Sequence, residues 1–357
     1  MSLIKKVDVC CGLNWGDEAK GKIVSSLANT GHYDMICRWT GGNNAGHTIY
    51  RNGVKYKTHL IPSGVFYNTL SIIGPDCVVN ESSFHEEINY LKNNGFNTEC
   101  IKISPKAHII TSLHIEQDKQ RYVNNTSTAK GIAPCYRDKY DRKGIQAKDV
   151  ESLEPYLWDE QLYGNILCEG AQGFWLDINQ GNYPYTTSST TLPYGACSLG
   201  FAPQLIKNIY GATKIYDTRV GYDPLFPESL QDDMDLLQIA RIGNEIGTTT
   251  GKNRHVNWLN LDKLITAINI TGTTHIIVSK VDIIELVNVF KVIHFDNIIT
   301  FSTIIEMTDY ISQQIYQHCG FIQKIIFSDN PENVSFEFDT QTKFAPSKKM
   351  DIVVEEC

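Results

Sequence analysis

Two acids stand inside a glycine-rich turn that otherwise has the makings of a phosphate cradle. The stretch GLNWGDEAKGK, residues 12–22, places Gly16 four residues before Gly21 and Lys22, the spacing of a phosphate-binding loop. Glycines let the backbone N–H groups approach an anion, and Lys20 and Lys22 add positive charge. A loop of the usual nucleotide-binding kind then carries Ser or Thr to hold Mg²⁺, but here the next residue is Ile23. Asp17 and Glu18 occupy the turn itself, beside Trp15. A plain surface turn accounts for glycine and lysine; it does not account for a tryptophan and two carboxylates.

Four more polar clusters follow. GGNNAGHT, residues 41–48, is costly in backbone entropy unless a close approach or positive φ is needed, and His47 at its end can donate or accept near neutral pH. Residues 125–144 combine hydroxyls with several basic side chains and Gly and Pro breaks, a loop length that usually carries function. Residues 168–191 join Gln172 to the hydroxyl run Thr186–Thr191, which suits helix caps or a phosphate. GTTTGKNRH, residues 247–255, reads as an oxyanion clamp, and SKVD, residues 279–282, supplies Lys280 and Asp282. A carboxylate in that setting accepts from guanine N1–H and the 2-amino group together, a paired contact that penalises the wrong base severely.

Elements must bring these clusters together. KVDVCCG, DMICRW, SIIGPDCVV, NILCEG, GATKIYDTRVG, THIIVSKVD and KIIFSDNPEN read as strands or strand-and-turn units. KGKIVSSLA reads as a helix, as does SSFHEEINYLKNNG, with Ser83 and Glu86 at capping-box spacing and Gly95 as its stop. LNLDKLITAINITG and STIIEMTDYISQQIYQHCG are further helices, the second with a Thr303/Glu306 capping box. Strands alternating with helices predict an α/β fold: a large, mostly parallel central sheet with helices on both faces, a P-loop-like nucleotide site at the strand C-termini and long functional loops. No repeat or linker interrupts the chain, so residues 1–357 are expected to form one domain.

Composition narrows the class. Hydrophobic residues are 42% and charged residues 20%, ordinary for a globular protein. A net charge of −8 argues against a general nucleic-acid binder, so anionic ligands must be met by local cations and N–H groups. Ten cysteines without a CxxC pair, and no signal-like N-terminus, predict a reducing, cytoplasmic setting. No apolar run approaches the roughly 20 residues that span a bilayer.

The motifs GLNWGDEAKGKIV, GGNNAGHTI, HLIPSG, EGAQG, LDI, TRVG and GNEIGTTTGK, in this order and reaching about Pro331, resemble the adenylosuccinate synthetase family, in particular its compact archaeal and viral members. The resemblance implies a ligase of purine biosynthesis that joins IMP and L-aspartate, using GTP and Mg²⁺, through 6-phosphoryl-IMP. It implies that Asp17 is the base and a Mg²⁺ ligand with the Gly46 carbonyl, that His47 donates to O6, and that Lys20 offsets charge on the moving phosphoryl. It places Asn44, Thr128, Gln172 and Thr187 at IMP, with Arg142 reaching the IMP of a partner subunit in a homodimer. Thr250, Lys252 and Arg254 would grip aspartate. Gly16, Glu18, Ala19, Gly21 and Lys22 would hold GTP phosphates, and Lys280, Asp282, Ser328 and Asn330 the guanine. Departures are Ala19 and Asn330 where the family has glycine, and Lys252-Asn253 where it has arginines; a lysine cannot form the bidentate fork. The alternatives are a phage-type enzyme using dGMP and ATP, which tends to lose the carboxylate at position 17 and the KxD pair, and a GTP-binding regulatory protein without ligase activity.

Overall fold

The computed structural model describes residues 3–121, 128–226, 233–246 and 253–336. The strands begin with β1 (Ile4–Gly12), β2 (Met35–Arg38), β3 (His47–Arg51), β4 (Val54–Thr58), β5 (Leu70–Ile73), β6 (Val78–Val79), β7 (Ile101–Ile103) and β8 (His108–Ile109). They continue with β9 (Gly164–Glu169), β10 (Ile206–Lys214), β11 (Tyr216–Arg219), β12 (His255–Asn260), β13 (His275–Ser279), β14 (Phe290–His294), β15 (Asn297–Phe301) and β16 (Lys324–Phe327). The helices are α1 (Lys20–Ala28), α2 (Glu81–Asn93), α3 (Ser112–Arg121), α4 (Ile132–Tyr140), α5 (Met234–Ile242), α6 (Leu261–Thr271), α7 (Val281–Val287) and α8 (Ile304–His318).

Eight strands form the central sheet in the order β16-β13-β10-β1-β9-β2-β5-β7. Each of its neighbouring pairs is parallel, so all eight C-terminal ends share one edge. The reason lies in the strand sequences. On β1, Val7, Val9 and Cys11 join the core under α6 and α8, while Cys10 joins Ile23, Val24 and Leu27 of α1 on the opposite face. A strand covered on both faces must be apolar at successive positions, and VDVCCG is nearly so. A second sheet, β11-β12-β14-β15, and the hairpin β3–β4 flank it.

Several elements differ from the sequence reading in detail. SIIGPDCVV divides at Gly74 into β5 and β6, which lie in different sheets. Pro75 offers no N–H to a ladder, and Gly74 N–H turns to the Arg38 carbonyl at 2.8 Å. GATKIYDTRVG likewise divides at Ile215 between the central sheet and the second one. The cap of α2 is Asn80, whose side chain accepts from Ser83 N–H at 2.9 Å, in place of a Ser83/Glu86 box. Thr303 caps α8, but Glu306 reaches back to Ser302 N–H rather than to Thr303. The nine cysteines among the described residues are all free thiols, and no described helix is long and apolar enough to cross a membrane.

Candidate active site

The loop between β1 and α1 separates its two acids by backbone geometry. Gly16, Asp17 and Ala19 have φ of 89°, 61° and 67°, so the chain reverses direction within four residues. Glu18 points inward: Oε1 accepts from Asn14 N–H at 3.1 Å and Gly16 N–H at 2.8 Å, and Oε2 pairs with Lys20 Nζ at 2.6 Å. This buried carboxylate pairs with Lys20, holding the ammonium in place, and ties down the turn's N–H groups. Gly12 and Gly173 leave it room, because a Cβ at either would come within 2.6 Å of its oxygens. Trp15 anchors the turn by stacking on Trp175 at a centroid distance of 6.0 Å and meeting Phe226 edge-on. Asp17 is the acid that faces outward, with Oδ2 accepting from Arg254 Nε at 2.9 Å.

Ala19 caps α1 in the left-handed conformation. Glycine occupies that well more easily by roughly 1–2 kcal/mol, while its greater unfolded-chain entropy takes back roughly 0.4–1 kcal/mol. Ala19→Gly is therefore expected to stabilise the chain by about 0.5–1 kcal/mol, raising the melting temperature by about 1–3 °C. An unchanged or lower melting temperature would show that the turn is not strained at this residue.

His47 begins β3 and is buried against α1, where Gly21 allows contact: a Cβ there would sit 2.8 Å from His47 Cβ. Its Nδ1 donates to Glu169, the last residue of β9, whose carboxylate also accepts from Ser63 N–H at 2.7 Å and Ser63 Oγ at 2.8 Å. Burial lowers the imidazole's pKa and Glu169 opposes that shift. Glu169 is itself buried, which favours its neutral form, but His47, Arg38 and the Ser63 N–H outweigh burial and hold it ionised below the usual carboxylate range. With Nδ1 committed to an anion, Nε2 is the remaining ring nitrogen, and it donates only when the ring is protonated.

Lys22 reaches from α1 to the turn after β16, donating to Ser328 Oγ at 3.1 Å and the Asn330 carbonyl at 2.9 Å. Burial lowers its pKa to about 8, with Asp282 pulling the other way. Lys280 sits in the left-handed cap position of α7 and donates to the Gly243 carbonyl at 2.9 Å.

One cavity of about 600 Å³ receives these loops. Gly16, Asp17, Glu18, Ala19, Lys20, Gly21 and Lys22 line it from the first turn, with Asn44, Gly46 and His47 from the second. Thr128, Gln172, Thr187, Arg254, Lys280, Asp282 and Asn330, also expected, stand along its wall. Gln172 has φ of 57° and a buried Oε1 without a hydrogen-bond partner among the described residues, an acceptor left for a ligand. Ser328 stands behind the wall, at Lys22. Arg142 is exposed at the C-terminal end of α4 and does not line this chain's cavity. Thr250 and Lys252 lie outside the described residues.

Among the charged residues absent from the sequence expectations, Lys55, Asp118, Lys214 and Arg219 line the cavity, while Glu169 and Glu245 hold its residues from behind. Glu169 was legible as an acid ending a strand in EGAQG, at the sheet edge where ligands bind. Glu245 lies within the quoted motif GNEIGTTTGK, where nothing singled it out, and Lys214 carried no comparable signal. The run GATKIYDTRVG reads as one strand and hides Lys214 in its middle, whereas the structure ends β10 at Lys214, which lines the cavity; Glu245 reaches Lys214 Nζ at 2.8 Å only through the tertiary fold.

The sequence model of the family described as adenylosuccinate synthetase matches residues 9–163 and 153–295. An adenylosuccinate synthetase of Flavobacterium johnsoniae is 37% identical over 78% of this chain and 79% of its own length. That of Clostridium botulinum is 37% identical over 77% of each. The solved, fully ligated adenylosuccinate synthetase of Plasmodium falciparum superposes with a TM-score of 0.78 at 24% identity, covering 92% of this chain and 98% of that one. The cyanophage S-2L succinoaminodeoxyadenylate synthetase, bound to dGMP and dATP, gives 0.71 at 18% identity, covering 92% and 94%. Those two likenesses concern the fold, an α/β architecture with a parallel central sheet; the family match and the bacterial identities reach further, and the chain belongs to the adenylosuccinate synthetase family, ligases that form a C–N bond.

Proposed function

We propose that this chain ligates L-aspartate to IMP with GTP as the phosphoryl donor, giving adenylosuccinate, GDP and phosphate. The observation that carries this is the meeting of Asp17 and His47 in one cavity, from loops after β1 and β2, with Glu169 at the end of the strand between them. In this reading Asp17 accepts the N1 proton of the hypoxanthine, and charge moves to O6, which attacks the γ-phosphorus as the bond to GDP breaks. Imidazolium Nε2 of His47 donates to O6 in that transfer. The aspartate amine then adds at C6 and phosphate leaves with the O6 oxygen. Lys20 is held by Glu18 at the cavity wall, so its charge is fixed in place before ligand arrives.

Mg²⁺ fits the residues present. Among the described residues there is no cluster of three His, Cys, Asp or Glu side chains that would make a protein-only metal site. One outward carboxylate, Asp17, lines the same cavity as Gly46, whose carbonyl would be a second ligand, and Mg²⁺ characteristically takes one or two protein oxygens plus substrate phosphates. When bound it would neutralise charge on the transferring phosphoryl. Arg142, exposed and outside this chain's cavity, would complete the site of a second copy in a homodimer.

Asp282 in the first turn of α7 supports guanine over adenine as the donor base. The phage-type alternative, dGMP with ATP, has the cyanophage fold likeness in its favour, and Asp17 and Asp282 against it. A matrix of IMP, GMP and dGMP crossed with GTP and ATP, with aspartate and mass detection of the succinyl product, decides between them. Product from IMP and GTP is expected, and product only from dGMP and ATP would replace the proposal. Asp282→Asn is expected to raise the KM for GTP roughly 10–100-fold and to narrow the preference over ATP, since one of two paired contacts is lost. An unchanged GTP/ATP ratio of kcat/KM would remove Asp282 from base recognition.

A further inference from the structure

We infer that Glu245 is a positioning residue that presents Arg254 to the dicarboxylate co-substrate and sets how firmly that arginine holds Asp17. The inference rests on the ligase reading above and adds a residue to it.

Glu245 is 3% exposed. Its carboxylate receives three donors: Tyr216 Oη at 2.7 Å, Lys214 Nζ at 2.8 Å and Arg254 Nη1 at 2.5 Å. Burial alone would favour the neutral acid, but Lys214, Arg254 and Lys280 outweigh it and hold the pKa at about 2. Two of the three donors, Lys214 and Arg254, line the reaction cavity. Arg254 extends through Nε to Asp17 Oδ2, so a single chain of charges runs Lys214, Glu245, Arg254, Asp17, with signs that alternate and cancel. The backbone fixes the same geometry: Arg254 N–H donates to the Glu245 carbonyl at 2.9 Å, and Ile246 pairs with Asn253. Two residues earlier, the Gly243 carbonyl accepts from Lys280.

A core ion pair made only for stability has no need to hold two cations at a cavity wall. The arrangement suits an arginine whose charge is shared among a fixed acid, the proposed base and an arriving dianion. With Nη1 committed to Glu245 and Nε to Asp17, Nη2 is left for a substrate carboxylate, and the guanidinium plane is set in advance. Without the Glu245 charge, Asp17 is the remaining carboxylate partner of Arg254 among the described residues. The guanidinium then settles on Asp17 and away from the co-substrate.

Steady-state kinetics of the full chain, with IMP, GTP and aspartate varied separately, tests this. If the wild-type chain forms no succinyl product, the ligase reading fails, whatever the Glu245 variants do. With an active wild type, Glu245→Gln is expected to raise the KM for aspartate at least tenfold, the KM values for IMP and GTP changing less than about threefold. Glu245→Asp, which keeps the charge, is expected to recover most of that loss. Tyr216→Phe removes one donor and leaves the charge chain, and is expected to raise the aspartate KM by two- to fivefold. Unchanged aspartate KM in Glu245→Gln overturns the inference, as does a parallel rise of all three KM values with a lowered melting temperature, the mark of a merely structural role. If Glu245→Gln does not fold, Tyr216→Phe decides by the same split, and an unchanged aspartate KM there overturns the inference.

Discussion

Asp17→Asn is expected to lower kcat at least about 10³-fold while the KM values for IMP and GTP move less than about fivefold. General-base removal accounts for roughly 10²–10⁴ in rate, and here the same carboxylate is also the proposed metal ligand. The substitution is well chosen for this position. Asp17 sits at φ 61°, and asparagine tolerates the left-handed region better than most residues, so the turn keeps its shape. The amide oxygen can still accept from Arg254 Nε, leaving the neighbouring arginine a partner. What is lost is the capacity to take a proton. Nucleotide affinity by calorimetry, alongside turnover, separates the two roles, and near wild-type kcat would remove Asp17 as the base. The same variant tests the shared site: mixed with Arg142→Asn chains, it should regain part of the activity, because one hybrid cavity has both residues intact. Asparagine again suits the backbone, as Arg142 has φ 60°. No recovery, with subunit exchange demonstrated, counts against Arg142 acting across a dimer.

Glu169→Gln is expected to lower kcat by roughly 10²–10³-fold with little change in substrate KM, because it acts through His47 and not on a ligand. The ionised carboxylate holds Nδ1–H and raises the imidazole pKa against the lowering effect of burial. Replacing it by a neutral amide leaves burial unopposed, so the imidazolium forms less readily. The sign follows: activity that needs Nε2–H falls as pH rises through the His47 pKa, and in the variant that fall comes at lower pH. A pH–kcat profile for both proteins measures the displacement. An alkaline limb in the same place would show that His47 does not act as the imidazolium. The Ser63 N–H and hydroxyl donate to different oxygens of Glu169, so the single glutamine oxygen keeps an acceptor for one of them, and a melting temperature measured beside the pH profile checks that the strand end survives.

These expectations mark the boundary between what the chain states and what its fold adds. Alternating apolar runs and amphipathic stretches were enough to determine a parallel α/β sheet, because strands buried on both faces must be apolar at successive positions. Glycine spacing with Lys20 and Lys22 located the anion loop, since close backbone approach is a local property. The motif order located Asp17 and His47 as candidates for one site. Only the tertiary structure divided labour between the two neighbouring acids. Glu18 turns inward because Gly12 and Gly173, 161 residues apart, open the space it fills, while the left-handed conformation of Asp17 turns that carboxylate toward the cavity. Likewise Glu245 lies within the motif GNEIGTTTGK, but nothing in that motif shows its role: Arg254 meets it through local backbone pairing, while Lys214, at the end of β10, reaches it only through the tertiary fold. Charge pairing across such distances is decided by which loops share a cavity, a consequence of strand order that residue spacing does not record.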